Sequence, residues 1–183
     1  MRTLDHFPVS RKGANNLKGA NNLVGTAGEY YVCAELCHRG YLALLTPKNN
    51  PLFDVVTTNS DGTTAVSIQV KTRSVQNKLG WKLGVPSDPA SAREMTFVVL
   101  VNLHDDRLPD FYIYCYPEFA ARVNEVFQAY ITKSKRSGEA RKDPGFRWLD
   151  EVSFTDADRS RRNNWEPILA TLRGIAGQAK GTA

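Results

Sequence analysis

The chain has 183 residues, of which 42% are hydrophobic and 23% charged, and its net charge is +5. This size and composition indicate one globular domain and exclude a chain that is disordered throughout. No apolar run approaches the roughly 18 residues that span a bilayer, and the start of the chain lacks the apolar core of a signal peptide, so we expect a cytoplasmic protein without a membrane segment. The excess of positive charge favours a polyanionic partner.

The first 24 residues contain a tandem hexamer, KGANNL at 12–17 and again at 18–23. The segment is rich in turn-forming residues and has little apolar surface to bury. We therefore predict an arm over residues 1–24, a folded domain over 25–173 and a flexible tail over 174–183. The arm is compatible with a basic strap along a phosphate backbone or over a dimer partner, and also with a plain linker.

A helix is predicted from Glu29 onward. Apolar residues follow Glu29 at spacings of three and four, namely Val32, Cys33, Leu36 and Cys37, which is the period of one helix face. Glu29 therefore lies on the buried side of the predicted helix. Because burial of a carboxylate without a cation or donor is costly, we expect a positive group to meet it.

A β-hairpin is predicted beyond this helix and a first short strand over residues 41–45. The pair Asp61-Gly62 is a strong hairpin signal, and it lies between two runs rich in β-forming residues. If these two residues form the centre of the turn, the pairing of the two arms places Asp54 directly opposite Gln69. The turn therefore predicts the register of the whole hairpin.

Strand alternation then predicts which side chains share a face of the hairpin. In the second arm Gln69 and Lys71 point to the same side, and the pairing brings Asp54 to that side too. If the helix of Glu29 packs on this face, the four polar groups converge. The layout therefore predicts a metal site.

These residues carry a resemblance to a known family. Asp54, followed after a turn by Gln69-Val70-Lys71 and preceded by Glu29 on a helix, resembles the PD-(D/E)XK nuclease superfamily, in a variant with Gln in place of the second motif acid. The resemblance covers about half of the chain. It implies a restriction-endonuclease-like fold, with a mixed β-sheet flanked by helices.

The resemblance also implies an activity, namely hydrolysis of DNA phosphodiester bonds with Mg²⁺ or Mn²⁺ by an endonuclease of restriction, defence or repair type. The implied catalytic residues are Glu29, Asp54, Gln69 and Lys71. Asp54 is the expected anchoring ligand, with the Gln69 side-chain oxygen and the Val70 carbonyl as neutral ligands and Glu29 holding a metal-bound water or a second ion. Lys71 is expected to orient the attacking water or to stabilise charge on the phosphate.

A second function stays open beside this one. The amide of Gln69 removes one negative charge from the expected metal site, which is compatible with a catalytically inactive nuclease fold that binds nucleic acid or regulates another protein. A third is an interaction protein that binds an acidic partner. For an active enzyme we expect DNA as the partner, and a possible homodimer would allow both strands to be cut.

Five residues outside this group are candidate nucleic-acid contacts. Lys48 lies in a polar loop, and Arg73, Lys78 and Lys82 flank Trp81 in a long segment with few apolar residues. Stacking of a base on an aromatic ring between cations is a common mode of nucleic-acid binding. The alternative is that Trp81 belongs to a short strand or fills space under the sheet.

The second half of the chain predicts the rest of an α/β or α+β domain. A continuous apolar run over 95–102 predicts a central strand. Further predicted elements are a strand over 111–116, a helix over 117–131, an edge strand over 146–154 and a helix over 156–173. The basic stretch 133–142 between them is compatible with a phosphate-binding flap or with a solvated connector.

Overall fold

The computed structural model describes residues 20–48, 50, 52–86 and 95–174. In chain order its elements are α1 (Ala20–His38), β1 (Leu42–Leu45), β2 (Val55–Thr58), β3 (Ala65–Arg73), β4 (Trp81–Leu83), β5 (Thr96–Asn102), β6 (Asp110–Cys115), α2 (Tyr116–Ile131), β7 (Arg147–Leu149), α3 (Asp156–Ser160) and α4 (Glu166–Leu172). Five strands form one mixed sheet with helices on both faces. The predicted class, an α/β domain with a mixed sheet flanked by helices, is confirmed.

The main sheet has the strand order β1-β2-β3-β5-β6. All neighbouring strands are antiparallel except β3 and β5, which are parallel. A parallel pair needs a crossover connection, and here it contains β4. Every residue of β5 is buried, which confirms the central strand predicted from its apolar run.

Two apolar clusters lie on opposite faces of this sheet. Alternate residues of β3, β5 and β6 point to each face, as the two-residue period of a strand requires. One cluster joins one set to α1 and α4, and its buried helix residues are Val32, Leu36, Trp165, Ile168 and Leu172. The other joins the second set to α2, β4 and β7, and includes Trp81, Leu83, Phe119, Val123 and Leu149.

The helix predicted from Glu29 begins earlier than expected. α1 starts at Ala20, so the last five positions of the predicted arm, 20–24, are helical. Residues 1–19, which hold most of the hexamer repeat, lie outside the described residues. So do residues 175–183 of the predicted tail.

Two other predictions need correction. The edge strand predicted over 146–154 is the three-residue β7, which pairs with β4 in a separate two-stranded sheet. The helix predicted over 156–173 is divided into α3 and α4 because Asn163 adopts a positive φ of 55°. The Asn163 side chain and backbone N–H form hydrogen bonds with the backbone of Phe111, so the segment between the two helices is held against β6.

None of the helices in the described ranges combines the length and apolar character that crossing a membrane requires.

Candidate active site

The register predicted for the hairpin is confirmed, although its loop is longer than a two-residue turn. Val55 pairs with Ile68, as the predicted alignment requires. At the other end the Asn59 N–H donates to the Thr64 carbonyl over 3.1 Å, so residues 60–63 form the loop. The loop exceeds the predicted two-residue turn by one residue on each side. Because the extension is symmetric, the pairing of the two arms does not change.

A β-bulge at Asp54 interrupts the regular pairing of β2 with β3. The Asp54 N–H donates to the carbonyl of Ile68 over 2.9 Å, although Ile68 is already the partner of Val55. Two residues of one arm therefore oppose one residue of the other, which bends the strand and changes the direction of the extra side chain. The Asp54 Oδ2 then accepts a hydrogen bond of 2.7 Å from the Val70 N–H.

The bulge places Asp54 beside α1 and away from Gln69. Asp54 and Glu29 line one cavity of about 290 Å³, together with the exposed Lys48. Gln69 and Lys71 line a different cavity, of about 240 Å³. The prediction that Asp54 shares the face of Gln69 and Lys71 is therefore wrong, because pairing alone does not reveal a bulge.

The prediction that the Glu29 helix covers that face is wrong for a related reason. The other side of β3 carries the buried Val66, Ile68 and Val70. α1 covers this apolar face with Val32 and Leu36. Gln69 and Lys71 remain on the face of α2 and β4, where Leu83, Tyr116 and Phe119 line the same cavity.

The pKa of Glu29 nevertheless depends on charged residues from both cavities. The pKa of Glu29 is raised, first by burial and next by the Asp54 carboxylate, whereas Lys48 and Lys71 act to lower it. Lys71 is thus close enough for its charge to act on Glu29. The positive groups expected near Glu29 are therefore present, as Lys48 and Lys71.

A close contact of α1 with β3 holds Glu29 in place. A Cβ atom added at Gly28 would lie 1.9 Å from the Thr72 Oγ1, so only glycine permits this approach. Gly28 precedes Glu29, and Thr72 follows Lys71. The contact therefore sets the spacing of these two site residues, and sequence analysis missed it. The available signal was a glycine directly before the candidate carboxylate.

The residues around the Glu29 cavity fit a hard divalent cation. Two carboxylates lie close enough for one to raise the pKa of the other, and a cation would relieve that repulsion. Neither carboxylate forms an ion pair with the residues that the structure describes. The cavity is also lined by the oxygen-bearing side chains of Thr26, Thr46 and Asn50. Oxygen ligands of this kind suit Mg²⁺ and Mn²⁺, although the described ranges hold no group of three His, Cys, Asp or Glu suited to a metal.

Two of the candidate nucleic-acid contacts are structural. Trp81 is 1% exposed and donates from Nε1 to the Val101 carbonyl, so the alternative of a short strand that fills space under the sheet is correct. The Arg73 guanidinium lies 4.4 Å from the centre of the Trp81 ring, hydrogen-bonds Asn102 and pairs with Glu151. A buried ring and a guanidinium occupied in this way cannot stack on a base or bind a phosphate.

Three other candidates lie at the surface. Lys48, Lys78 and Lys82 are exposed, and Lys48 lines the cavity of Glu29 and Asp54. The aromatic residue directly opposite Lys82 is Trp148, with which Lys82 pairs across the small sheet. Strand alternation offered a signal, because it places Lys82 on the face opposite to that of Trp81 and Leu83.

Comparisons with known proteins add little detail. No family model matches the chain, and no curated protein matches it. Three solved chains match, and one of them is a bacterial homing endonuclease. This chain is similar to it with a TM-score of 0.44 and 15% identity, over 85% of this chain and 96% of that chain.

Proposed function

We propose that the chain is a divalent-metal-dependent DNA endonuclease of the PD-(D/E)XK type. The observation that supports this most strongly is the pair of carboxylates Glu29 and Asp54, which line one cavity, lie near enough to Lys71 for its charge to act on Glu29, and form no ion pair with the described residues. Charges that serve only stability are usually paired when they are half-buried. A set of partly buried charges without ion pairs, next to an open cavity, is typical of a functional site.

The proposed ligands are oxygen atoms near the start of β2 and the middle of β3. Asp54 anchors the metal, and Glu29 holds a bound water or a second ion from α1. The Val70 carbonyl and the Gln69 side chain complete the set. A bound Mg²⁺ would polarise the phosphate and lower the pKa of a bound water.

Lys71 is proposed to act on the reacting groups. Lys71 lines the cavity of about 240 Å³, and its charge acts on Glu29 of the neighbouring cavity. There it would stabilise negative charge that develops on the scissile phosphate, or orient the attacking water. Lys48, exposed at the rim of the Glu29 cavity, would bind a neighbouring phosphate.

Gln69 has the weakest support among the proposed ligands because it lies on the other face from Asp54. Replacement by Glu tests its place directly. If the Gln69 amide is a ligand, Gln69→Glu adds a negative charge and tightens Mn²⁺ binding, which isothermal titration calorimetry measures. Equal affinity in a folded variant removes Gln69 from the ligand set.

The activity is tested with supercoiled plasmid under Mg²⁺, Mn²⁺ and chelator. We expect metal-dependent nicking by the parent chain and none by Asp54→Asn, which keeps the size of the side chain but removes its charge. Asp156→Asn, on the exposed side of α3, is the matched control and should nick like the parent. Nicking that persists in Asp54→Asn, or none by the parent with either metal, contradicts the proposal.

A second candidate function is a nuclease fold that binds nucleic acid without cutting it. The observation that favours it is the separation of Gln69 from the two carboxylates, which leaves only two acids beside the proposed metal. Salt-sensitive DNA binding by a parent chain that never nicks plasmid would support it.

A further inference from the structure

The positive charge of the chain is concentrated in one short segment. Residues 133–148 contain six Lys or Arg and two acids, a net charge of +4 in a chain whose total is +5. The segment leaves the end of α2, and its last residues include β7. The sequence of its basic part is compatible with a phosphate-binding flap and also with a solvated connector, so its internal contacts decide between the two interpretations.

The loop at the start of this segment is closed on itself. The Arg141 Nε donates to the Lys133 carbonyl over 2.9 Å, and the Arg141 guanidinium lies 4.3 Å from the centre of the Tyr130 ring. The Lys135 N–H donates to the Glu139 carbonyl over 2.9 Å, and their side chains form an ion pair. These contacts hold the loop against the end of α2, unlike a loose connector.

The contacts also sort the cations of the segment into two groups. Arg141 and Arg147 lie over aromatic rings, and Arg147 pairs with Asp143. Lys133, Arg136 and Lys142 are exposed and make no ion pair with the residues that the structure describes. The paired cations therefore hold the loop, and the three exposed ones are left available for an anion.

The adjoining small sheet extends this surface toward the candidate active site. Lys82 of β4 is exposed opposite Trp148 of β7, and its ammonium lies 4.4 Å from the centre of the Phe146 ring. The next residue of β4, Leu83, lines the cavity that contains Lys71. A polyanion on this surface would thus lie one strand away from the Lys71 cavity.

We propose that Lys82, Lys133, Arg136 and Lys142, with Trp148 beside Lys82, form a docking surface for the phosphate backbone of duplex DNA outside the catalytic site. Repeated phosphates match several exposed cations that form no ion pair with the residues described by the structure. The choice of DNA as the polyanion rests on the proposed function. The surface would hold DNA flanking the bond that is cut, and would bind it without regard to sequence.

Binding is measured without metal, so its outcome does not depend on catalysis. The dissociation constant of a fluorescent duplex is determined in chelator over a salt series. For Lys133→Gln/Arg136→Gln we expect weaker binding, and a plot of log affinity against log salt whose slope is smaller by about 1.8, for two lost phosphate contacts. The matched control is Arg159→Gln/Arg173→Gln, which also removes two exposed charges and should leave the slope unchanged.

A second readout needs no variant of the loop. The chain has three tryptophans, of which Trp81 and Trp165 are buried and Trp148 is partly exposed. Duplex DNA should therefore change the tryptophan fluorescence of the parent chain, and Trp148→Phe should abolish that change while DNA binding persists.

Three results overturn the proposal. One is an equal change of slope in the loop variant and its control, and another is saturation with DNA that leaves the fluorescence of Trp148 unchanged. Tighter binding of poly-glutamate than of duplex of equal charge would identify an acidic protein as the partner. Failure of plasmid nicking alone contradicts only the proposed activity, because the binding measurements stand without it.

Discussion

Lys71 and Arg73 are two residues apart on β3, and their surroundings differ completely. Arg73 hydrogen-bonds Asn102, pairs with Glu151 and covers the ring of Trp81. Lys71 forms no ion pair with the described residues, although it is near enough to Glu29 for its charge to act on the pKa of that carboxyl. Within two residues of β3, a satisfied charge network around Arg73 is thus followed back along the strand by a lysine that forms no ion pair with the described residues.

This difference separates charges that stabilise the fold from charges that are available for chemistry. The Arg73 network is continued by Tyr112, which donates to Glu151 over 2.7 Å, so each polar group there has a partner. Buried Asp110 shows the same pattern, because His104, Arg107 and Arg162 all bond it and hold its pKa well below the usual range. Around Val70 the protein instead keeps an open cavity on each side of the strand.

The largest effect is expected from Lys71→Met, which keeps the length of the side chain and removes its charge. Because no ion pair within the described residues is lost, the variant should remain folded and bind duplex DNA within a few-fold of the parent. Loss of a charge that acts in the transition state lowers the rate by about two orders of magnitude or more. Plasmid nicking under Mg²⁺ measures this effect.

Arg73→Met is the matched control on the same strand. It leaves Glu151 and Asn102 without their partner, at a cost of about 1–3 kcal/mol in the free energy of unfolding. Urea denaturation should therefore show the larger loss of stability in Arg73→Met, whereas plasmid nicking should show the larger loss of rate in Lys71→Met. If Lys71→Met cuts as fast as the parent, Lys71 is not the catalytic lysine.

Trp81→Ala tests the packing beneath the Arg73 guanidinium, and its expected cost in stability is larger. Trp81 is buried, lies parallel to the ring of Phe154 and donates a hydrogen bond to Val101. Its truncation should lower the free energy of unfolding by about 3–5 kcal/mol. Trp148→Ala, the same change on the exposed side of the small sheet, should cost clearly less in urea denaturation. Equal costs would contradict the assignment of Trp81 to the core and Trp148 to the surface.

Gly28→Ala tests whether the contact of α1 with β3 positions Glu29. The added Cβ would overlap Thr72, so α1 must shift, and we expect a loss of about 1–3 kcal/mol in stability together with weaker Mn²⁺ binding. For stability, Gly25→Ala is the matched control, because it lies one turn earlier in α1 with nothing within 4 Å of the added atom. It should be neutral or stabilising, since Ala favours a helix by about 1 kcal/mol over Gly. A Gly28→Ala variant that binds Mn²⁺ as the parent does would show that this contact does not position Glu29.

Local patterns were sufficient to predict the elements of the sheet. The apolar run of β5 and the Asp61-Gly62 turn carry their information within a few residues, so the central strand and the hairpin register are confirmed. The candidate residues Glu29 and Asp54 do share a cavity, and Lys71 acts on it electrostatically. Whether they form a metal site stays a prediction.

The errors concern features that depend on distant contacts. The bulge at Asp54 arises from a second hydrogen bond to Ile68, which no period in the sequence reveals. The burial of Trp81 depends on the pairing of β4 with β7, and these strands are more than 60 positions apart in the printed sequence. Residue pattern alone therefore brought Glu29 and Asp54 together but assigned three other features wrongly, namely the face of Asp54 relative to Gln69 and the surroundings of Arg73 and Trp81.

The smallest effect is expected from Glu29→Gln, and its sign is the opposite of the usual cost of a mutation. The pKa of Glu29 is raised in the folded state above 4.5, its ordinary value, so the folded chain binds the proton more tightly than the unfolded chain. The charged form therefore lowers stability at neutral pH, and this cost disappears as the pH falls through the folded pKa toward 4.5 and below. Without metal, Glu29→Gln should be slightly more stable than the parent at pH 7 and equal to it at pH 4, as urea denaturation at several pH values would show.

Glu125→Gln, which removes a charge from the exposed side of α2, is the control for loss of one charge. Mg²⁺ should reverse the order at pH 7, because a cation bound through Glu29 stabilises only the parent. A Glu29→Gln variant that is less stable than the parent without metal would mean that Glu29 already has a structural partner, and the contrast between the surroundings of Lys71 and Arg73 would no longer hold.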